Sequence, residues 1–121
     1  MIEALSGFPA NIVAIRASGD VSKEDYDTVL VPLAEKAFAA HDRIRVYYEI
    51  DAGFAGFEPG AMWEDFKLGM GHITGWEKVA LVTDVAWMKH MMDFFGFMMP
   101  AEMKTFGLAQ AQEAKEWIEA E

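Results

Sequence analysis

Residues 79–99 read Val-Ala-Leu-Val-Thr-Asp-Val-Ala-Trp-Met-Lys-His-Met-Met-Asp-Phe-Phe-Gly-Phe-Met-Met. The first four form a short continuous apolar run, the pattern of a strand buried on both faces of a parallel sheet. Thr83-Asp84 follows, and Asp84 has the chemistry of a helix N-cap. From Val85 to Met99 the spacing predicts a helix, with Lys89, His90, Asp93 and Gly96 on one narrow side at ~100° per residue. Trp87, Met88, Met91, Met92, Phe94, Phe95, Met98 and Met99 fill roughly half the circumference, where docking on a sheet needs a stripe of only ~100°. The surplus apolar surface must meet a second helix, another subunit, a membrane surface or an apolar ligand. Buried strand followed by helix makes this an α/β chain.

Working back from that unit, Asp51-Ala52-Gly53-Phe54-Ala55-Gly56-Phe57 reads as a flexible glycine-rich loop, with Phe54 and Phe57 either reaching a membrane or ligand or folding back on the core. Pro59 suits the first turn of the helix after it, whose apolar stripe is Met62, Trp63, Phe66, Met70 and Ile73. Gly60, Gly69 and Gly71 within it and Gly75 beyond weaken that helix, each costing ~1 kcal/mol against alanine in a helix interior. Arg43–Ile50 alternates as a strand, with Ile44, Val46, Tyr48 and Ile50 on one side. Before it, Ser22 and Asp25 resemble a capping box, and Tyr26, Val29, Leu30, Leu33, Ala37 and Phe38 repeat at helical spacing. Pro32 removes one backbone donor there, so a kink is expected near Thr28–Val31. Ile2–Leu5 and Ile12–Ser18 read as an antiparallel hairpin, with Gly19-Asp20 breaking the second strand.

Forward of the methionine-rich helix, Pro100 stops it and Glu102–Phe106 is a last strand. Ala109–Ala120 is a last helix with Ala111, Ala114, Trp117 and Ile118 facing inward. The order is ββαβαβαβα. Helices between strands imply parallel pairing, and the first hairpin adds one antiparallel strand. The expected architecture is a single domain over residues 1–121, a mixed five-stranded sheet flanked by four helices.

Composition narrows the function classes. The 121 residues contain no cysteine, which excludes disulfides, thiol catalysis and cysteine metal sites. A net charge of −10 with scattered basic residues argues against nucleic acid and against electrostatic docking on anionic lipid, so any membrane contact must come from apolar insertion. The opening Met-Ile-Glu-Ala lacks a basic region and an apolar core, and no apolar run reaches the ~20 residues of a membrane span; a cytoplasmic protein is expected. His41, His72 and His90 lack ligand spacing, and Gly53, Gly56 and Gly60 make no phosphate loop, so neither metal nor cofactor is expected. Asp51 and Asp84, expected at the carboxyl ends of adjacent strands, have no nucleophile beside them, so no enzyme is expected.

The chain resembles the SpoIIAA-like family of STAS domains. The resemblance rests on Ser22-Lys23-Glu24-Asp25-Tyr26, on Trp63-Glu64-Asp65-Phe66-Lys67 with His72, and on Trp76-Glu77-Lys78-Val79-Ala80-Leu81-Val82-Thr83-Asp84 with Trp87. Phe106 and Glu113-Ala114-Lys115-Glu116-Trp117-Ile118 close it. Regulatory STAS members carry Asp-Ser-Ser/Thr-Gly after the third strand and are phosphorylated on the serine after the aspartate; here Asp51-Ala52-Gly53-Phe54 has no hydroxyl at that place. The resemblance extends to lipid-carrying CRAL-TRIO domains, which implies a movable cover, made by the second and third helices, over an apolar pocket. The expected ligand-binding residues are Phe57, Trp63, Phe66, Met70, Trp87, Met88, Met91, Met92 and Phe95. The expected partners are an apolar small molecule or lipid, a membrane surface and a second copy in a homodimer. The alternative is a regulatory protein–protein module that works without phosphorylation.

Overall fold

The computed structural model describes residues 1–72, 74–90 and 101–120, the side chains of Asp65, Phe66 and Met70 aside. Five strands form one sheet in sequential order: β1 (Ile2–Ala4), β2 (Ile12–Val21), β3 (Ile44–Phe57), β4 (Trp76–Val82) and β5 (Glu102–Phe106). β1 and β2 are antiparallel, and every later pair is parallel. Helix α1 covers residues 23–40, α2 is Pro59–Gly71, α3 opens over residues 86–90, and α4 is Ala111–Glu119 behind a 3-10 turn at Leu108–Gln110.

Sequential parallel strands joined by right-handed crossovers place all the connecting helices on one face. The buried side chains divide that way. On the first face Ile15, Ala17, Ile44, Ile50 and Leu81 pack with Tyr26, Leu30 and Ala34 of α1, Ala61 and Leu68 of α2, and Met88 of α3. On the second, Ile12, Ala14, Tyr47, Ala80, Val82 and Phe106 pack with Ala114 and Ile118 of α4, while Trp117 lies half-buried beside them, as the helical spacing predicts.

The capping box at Ser22 forms as expected. Asp25 N–H donates to Ser22 Oγ (3.1 Å), and Ser22 N–H donates to the Asp25 carboxylate (2.8 Å). The irregularity expected before Pro32 is a π-helical turn over Tyr26–Leu30, after which α-helix resumes over Val31–Ala40. Its wider ring lets Val31 N–H reach the Tyr26 carbonyl, and it turns Tyr26 and Leu30 into the core.

Two expectations fail together. Gly19-Asp20 does not end β2, and residues 51–57 are strand rather than loop. Gly19 takes φ 58° inside β2, a left-handed conformation open to glycine, so the strand bulges and continues. Between the pairs Ala17↔Ile50 and Gly19↔Phe54, β3 advances four residues while β2 advances two. The Asp51 carboxylate accepts the Gly53 N–H (2.8 Å) within this bulge. Phe54 and Phe57, with ring centroids 4.9 Å apart, lean on the first-face core, one of the two placements expected for them.

Candidate functional site

Two helices, α2 and α3, follow the carboxyl ends of β3 and β4 and contribute buried side chains to the first face. Open α/β sheets place their sites at this end. The start of α3 is tied to β4 through Thr83, which is fully buried. Its hydroxyl accepts the Val85 N–H (3.0 Å) and faces the Met88 sulfur at 4.0 Å. Asp84, expected to cap this helix, accepts the Leu108 N–H at its Oδ1 (3.1 Å), fastening the entry of α4. Thr83 stands one residue closer to the strand and takes the helix-side donor.

Helix α2 rests on α1. A Cβ at Gly60 would stand 3.1 Å from Lys23 Cβ, so the two helices approach where α2 has no side chain. That contact sets the rotation of α2. Ala61, Glu64 and Leu68, spaced three and four apart, turn inward. The Glu64 carboxylate pairs with Lys67 (2.8 Å) and lies 4.0 Å from Lys23, which bonds Asp27 at 2.6 Å. The Lys23 hydrogen bond holds Asp27 below the usual carboxylate range. A charged clasp thus joins α2 to the first turns of α1. At its far end His72 stacks on Phe38 (4.0 Å) and lies 3.4 Å from Glu35.

Beneath the helices the Tyr26 and Tyr48 hydroxyls meet at 3.1 Å. Each tyrosine lay on an inward-facing pattern in the sequence, Tyr26 by helical spacing and Tyr48 by strand alternation. Their pairing was not expected, nor was the burial of Glu64.

Four of the expected ligand residues, Phe57, Trp63, Met88 and Trp87, are described, and they differ in burial. Phe57 is half-buried against the core, and Met88 is buried within it. Trp63 is 58% exposed, with Met62 beside it at 48%. Trp87 is 47% exposed. The side chains of Phe66 and Met70, and the whole of Ile73, Met91, Met92 and Phe95, lie outside the described residues. Two clefts among the described residues are both elsewhere. One lies on the second face, and the other between β1–β2 and the end of α1. Among the described residues no helix is long and apolar enough to cross a membrane.

Among the described residues, a five-stranded mixed sheet carries three helices on one face and a fourth on the other. The sequence profile of the SpoIIAA-like family matches residues 12–119, and the chain belongs to that family. In structure it is similar to an uncharacterised DUF3478-family protein with a SpoIIAA-like fold from Shewanella loihica PV-4, seen in a crystal structure at 2.25 Å resolution. The TM-score is 0.73 at 24% identity, covering 98% of this chain and 92% of the other. No curated protein matches the sequence.

Proposed function

We propose that the protein is a non-enzymatic binding module that takes an apolar or amphipathic, lipid-like ligand and meets a membrane surface through α2 and α3. The observation that carries this reading is the outward placement of Met62, Trp63 and Trp87 on those two helices. Tryptophan, with an apolar body and a polar N–H, suits the boundary between water and lipid. Adjacent parallel strands put the starts of α2 and α3 at one end of the sheet, so both tryptophans belong to that end. The clasp of Lys23, Asp27, Glu64 and Lys67 would hold α2 closed in water, and covering the exposed side chains with lipid would favour the open arrangement.

Flotation with neutral phosphatidylcholine vesicles tests the reading, at low salt and at 1 M salt, which shrinks the Debye length to ~3 Å. The expected result is binding that survives high salt and falls in the Trp63→Ser/Trp87→Ser variant. Losing two half-exposed indoles from the contact removes roughly 2–3 kcal/mol, on the order of 30- to 150-fold. Solvent extraction of the purified protein followed by mass spectrometry should recover a lipid or fatty acid. A variant that floats like the parent, or a protein that ignores vesicles and yields no lipid, refutes the reading. The second outcome favours a protein-binding module independent of phosphorylation, in keeping with Ala52 at the place of the family's acceptor serine.

A further inference from the structure

The sheet is open along β5. Among the described residues no strand lies beyond it, and the strand at the other edge, β1, is only three residues long. Thr83 N–H donates to the Phe106 carbonyl at 2.8 Å, so Phe106 turns its backbone groups toward β4. Backbone direction alternates along a strand. Glu102 and Lys104 therefore also face β4, while Met103 and Thr105 aim their N–H and C=O groups away from the sheet. Such a row is a template for another strand.

The side chains alternate between the two faces in the same rhythm. Phe106 belongs to the second-face core, which puts Lys104 and Glu102 on that face too, with Lys104 Nζ 5.2 Å from the centre of the Phe106 ring. Glu102 and Lys104 are exposed, and neither forms an ion pair among the described residues. Their charges cancel, so this edge is locally neutral in a chain of net charge −10.

A lysine in an edge strand ordinarily discourages pairing. It does so here in the antiparallel register that sets Lys104 opposite Lys104 of a second copy. The register centred on Met103 reverses the sign, because Glu102 of each copy then lies opposite Lys104 of the other. Met103, with its backbone groups outward, meets its own copy as a hydrogen-bonded pair. The two Glu–Lys pairs fall in the non-hydrogen-bonded positions, where Cα atoms stand ~4.5 Å apart instead of ~5.5 Å and side chains are closest. Opposite charges directly across are favourable, and like charges are not.

We infer that β5 is a self-pairing edge: a second copy of this chain joins it antiparallel about Met103, extending the sheet across both molecules. Residues 101–105 of the two copies face one another, a short seam of the transient class that buries less than ~1,200 Å². Neither Trp63 nor Trp87 belongs to it.

Sedimentation of the full chain over a dilution series up to millimolar concentration tests the seam. The expected result is a reversible monomer–dimer equilibrium. Lys104→Glu and Glu102→Lys each set like charges opposite one another at two symmetric places, and each should weaken the dimer roughly tenfold. The double variant Glu102→Lys/Lys104→Glu should restore the parent's affinity. In hydrogen exchange, Met103 and Thr105 amides should gain protection with concentration, while Lys104 and Phe106 amides, already directed at β4, should not. A chain monomeric throughout, single variants that dimerise like the parent, or a double variant that stays weak overturns the inference. So does a dimer lost in Trp63→Ser/Trp87→Ser, which would place the contact on α2 and α3. Vesicle flotation of Lys104→Glu should equal that of the parent, so the seam and the proposed membrane surface succeed or fail separately.

Discussion

Gly75 lies in the turn before β4, and replacing it with alanine tests the packing of the α2 exit by the sign of the stability change. Gly75 N–H donates to the His72 carbonyl (2.7 Å), and its own carbonyl accepts the Ile44 N–H (2.9 Å). Its φ is not positive, so nothing in the backbone demands glycine. At such a position Gly→Ala ordinarily stabilises by about 0.4–1 kcal/mol, through the reduced freedom of the unfolded chain. Here the new Cβ would stand 2.4 Å from Phe38 Cε1 and 3.1 Å from Cζ. The ring has no easy retreat, being stacked on His72 at 4.0 Å and edge-on to Trp76 at 5.0 Å. Overpacking costs about 1–3 kcal/mol and a lost aromatic contact about 0.5–1.5 kcal/mol. The expected net loss is roughly 1–3 kcal/mol, lowering the melting temperature by about 4–12 °C. Urea unfolding followed by tryptophan fluorescence measures it, since Trp76 belongs to the cluster and is buried. In a Phe38→Leu background the ring is gone, so Gly75→Ala should cost at least ~1 kcal/mol less. A variant as stable as the parent, or an equal cost in both backgrounds, refutes the reasoning.

Two further outcomes follow from the charged groups. Arg45 Nη1 bonds the Ile118 and Ala120 carbonyls at 2.8 and 2.6 Å, and its Nε bonds Glu77, so it closes the C-terminal end of α4. Arg45→Ala should destabilise by roughly 2–3 kcal/mol and expose α4 amides to hydrogen exchange, with Arg45→Lys in between; unchanged exchange in α4 would refute the role. Hydrogen bonding to Arg45 holds Glu77 below its usual range; burial works against Asp25, but the Ser22 bonds prevail and hold it low as well. A carboxylate depressed in the folded state contributes stability above its unfolded value of about 4, and loses it as pH falls through the depressed value. The parent should therefore lose stability below about pH 4 more steeply than Glu77→Gln, seen as urea midpoints across a pH series. Parallel slopes would count against the Arg45–Glu77 pair.

What the chain states locally survives folding. The capping box at Ser22, the inward face of α4 and the alternation of β3 up to Ile50 all involve residues within one or two turns of each other, so adjacency in sequence is adjacency in space. The same holds for the disturbance ahead of Pro32, although which form it took, a π turn, was decided by the demand to bury Tyr26 and Leu30. The element order also constrained topology, because short right-handed crossovers leave few alternatives.

The misread parts depend on partners far along the chain. Residues 51–57 look like a loop by their glycines, yet the far end of β2 offered unpaired backbone groups, and pairing there outweighed local turn chemistry. Trp63 lies on an apolar stripe, but the residues α2 buries are Ala61, Glu64 and Leu68, and Trp63 stays exposed. Arg16 and Glu49 stand 33 residues apart and came together through strand register alone. Residue type and spacing settle what a segment can bury. Only tertiary structure settles what it is buried against, because the free energy of packing depends on both surfaces and a sequence pattern describes one.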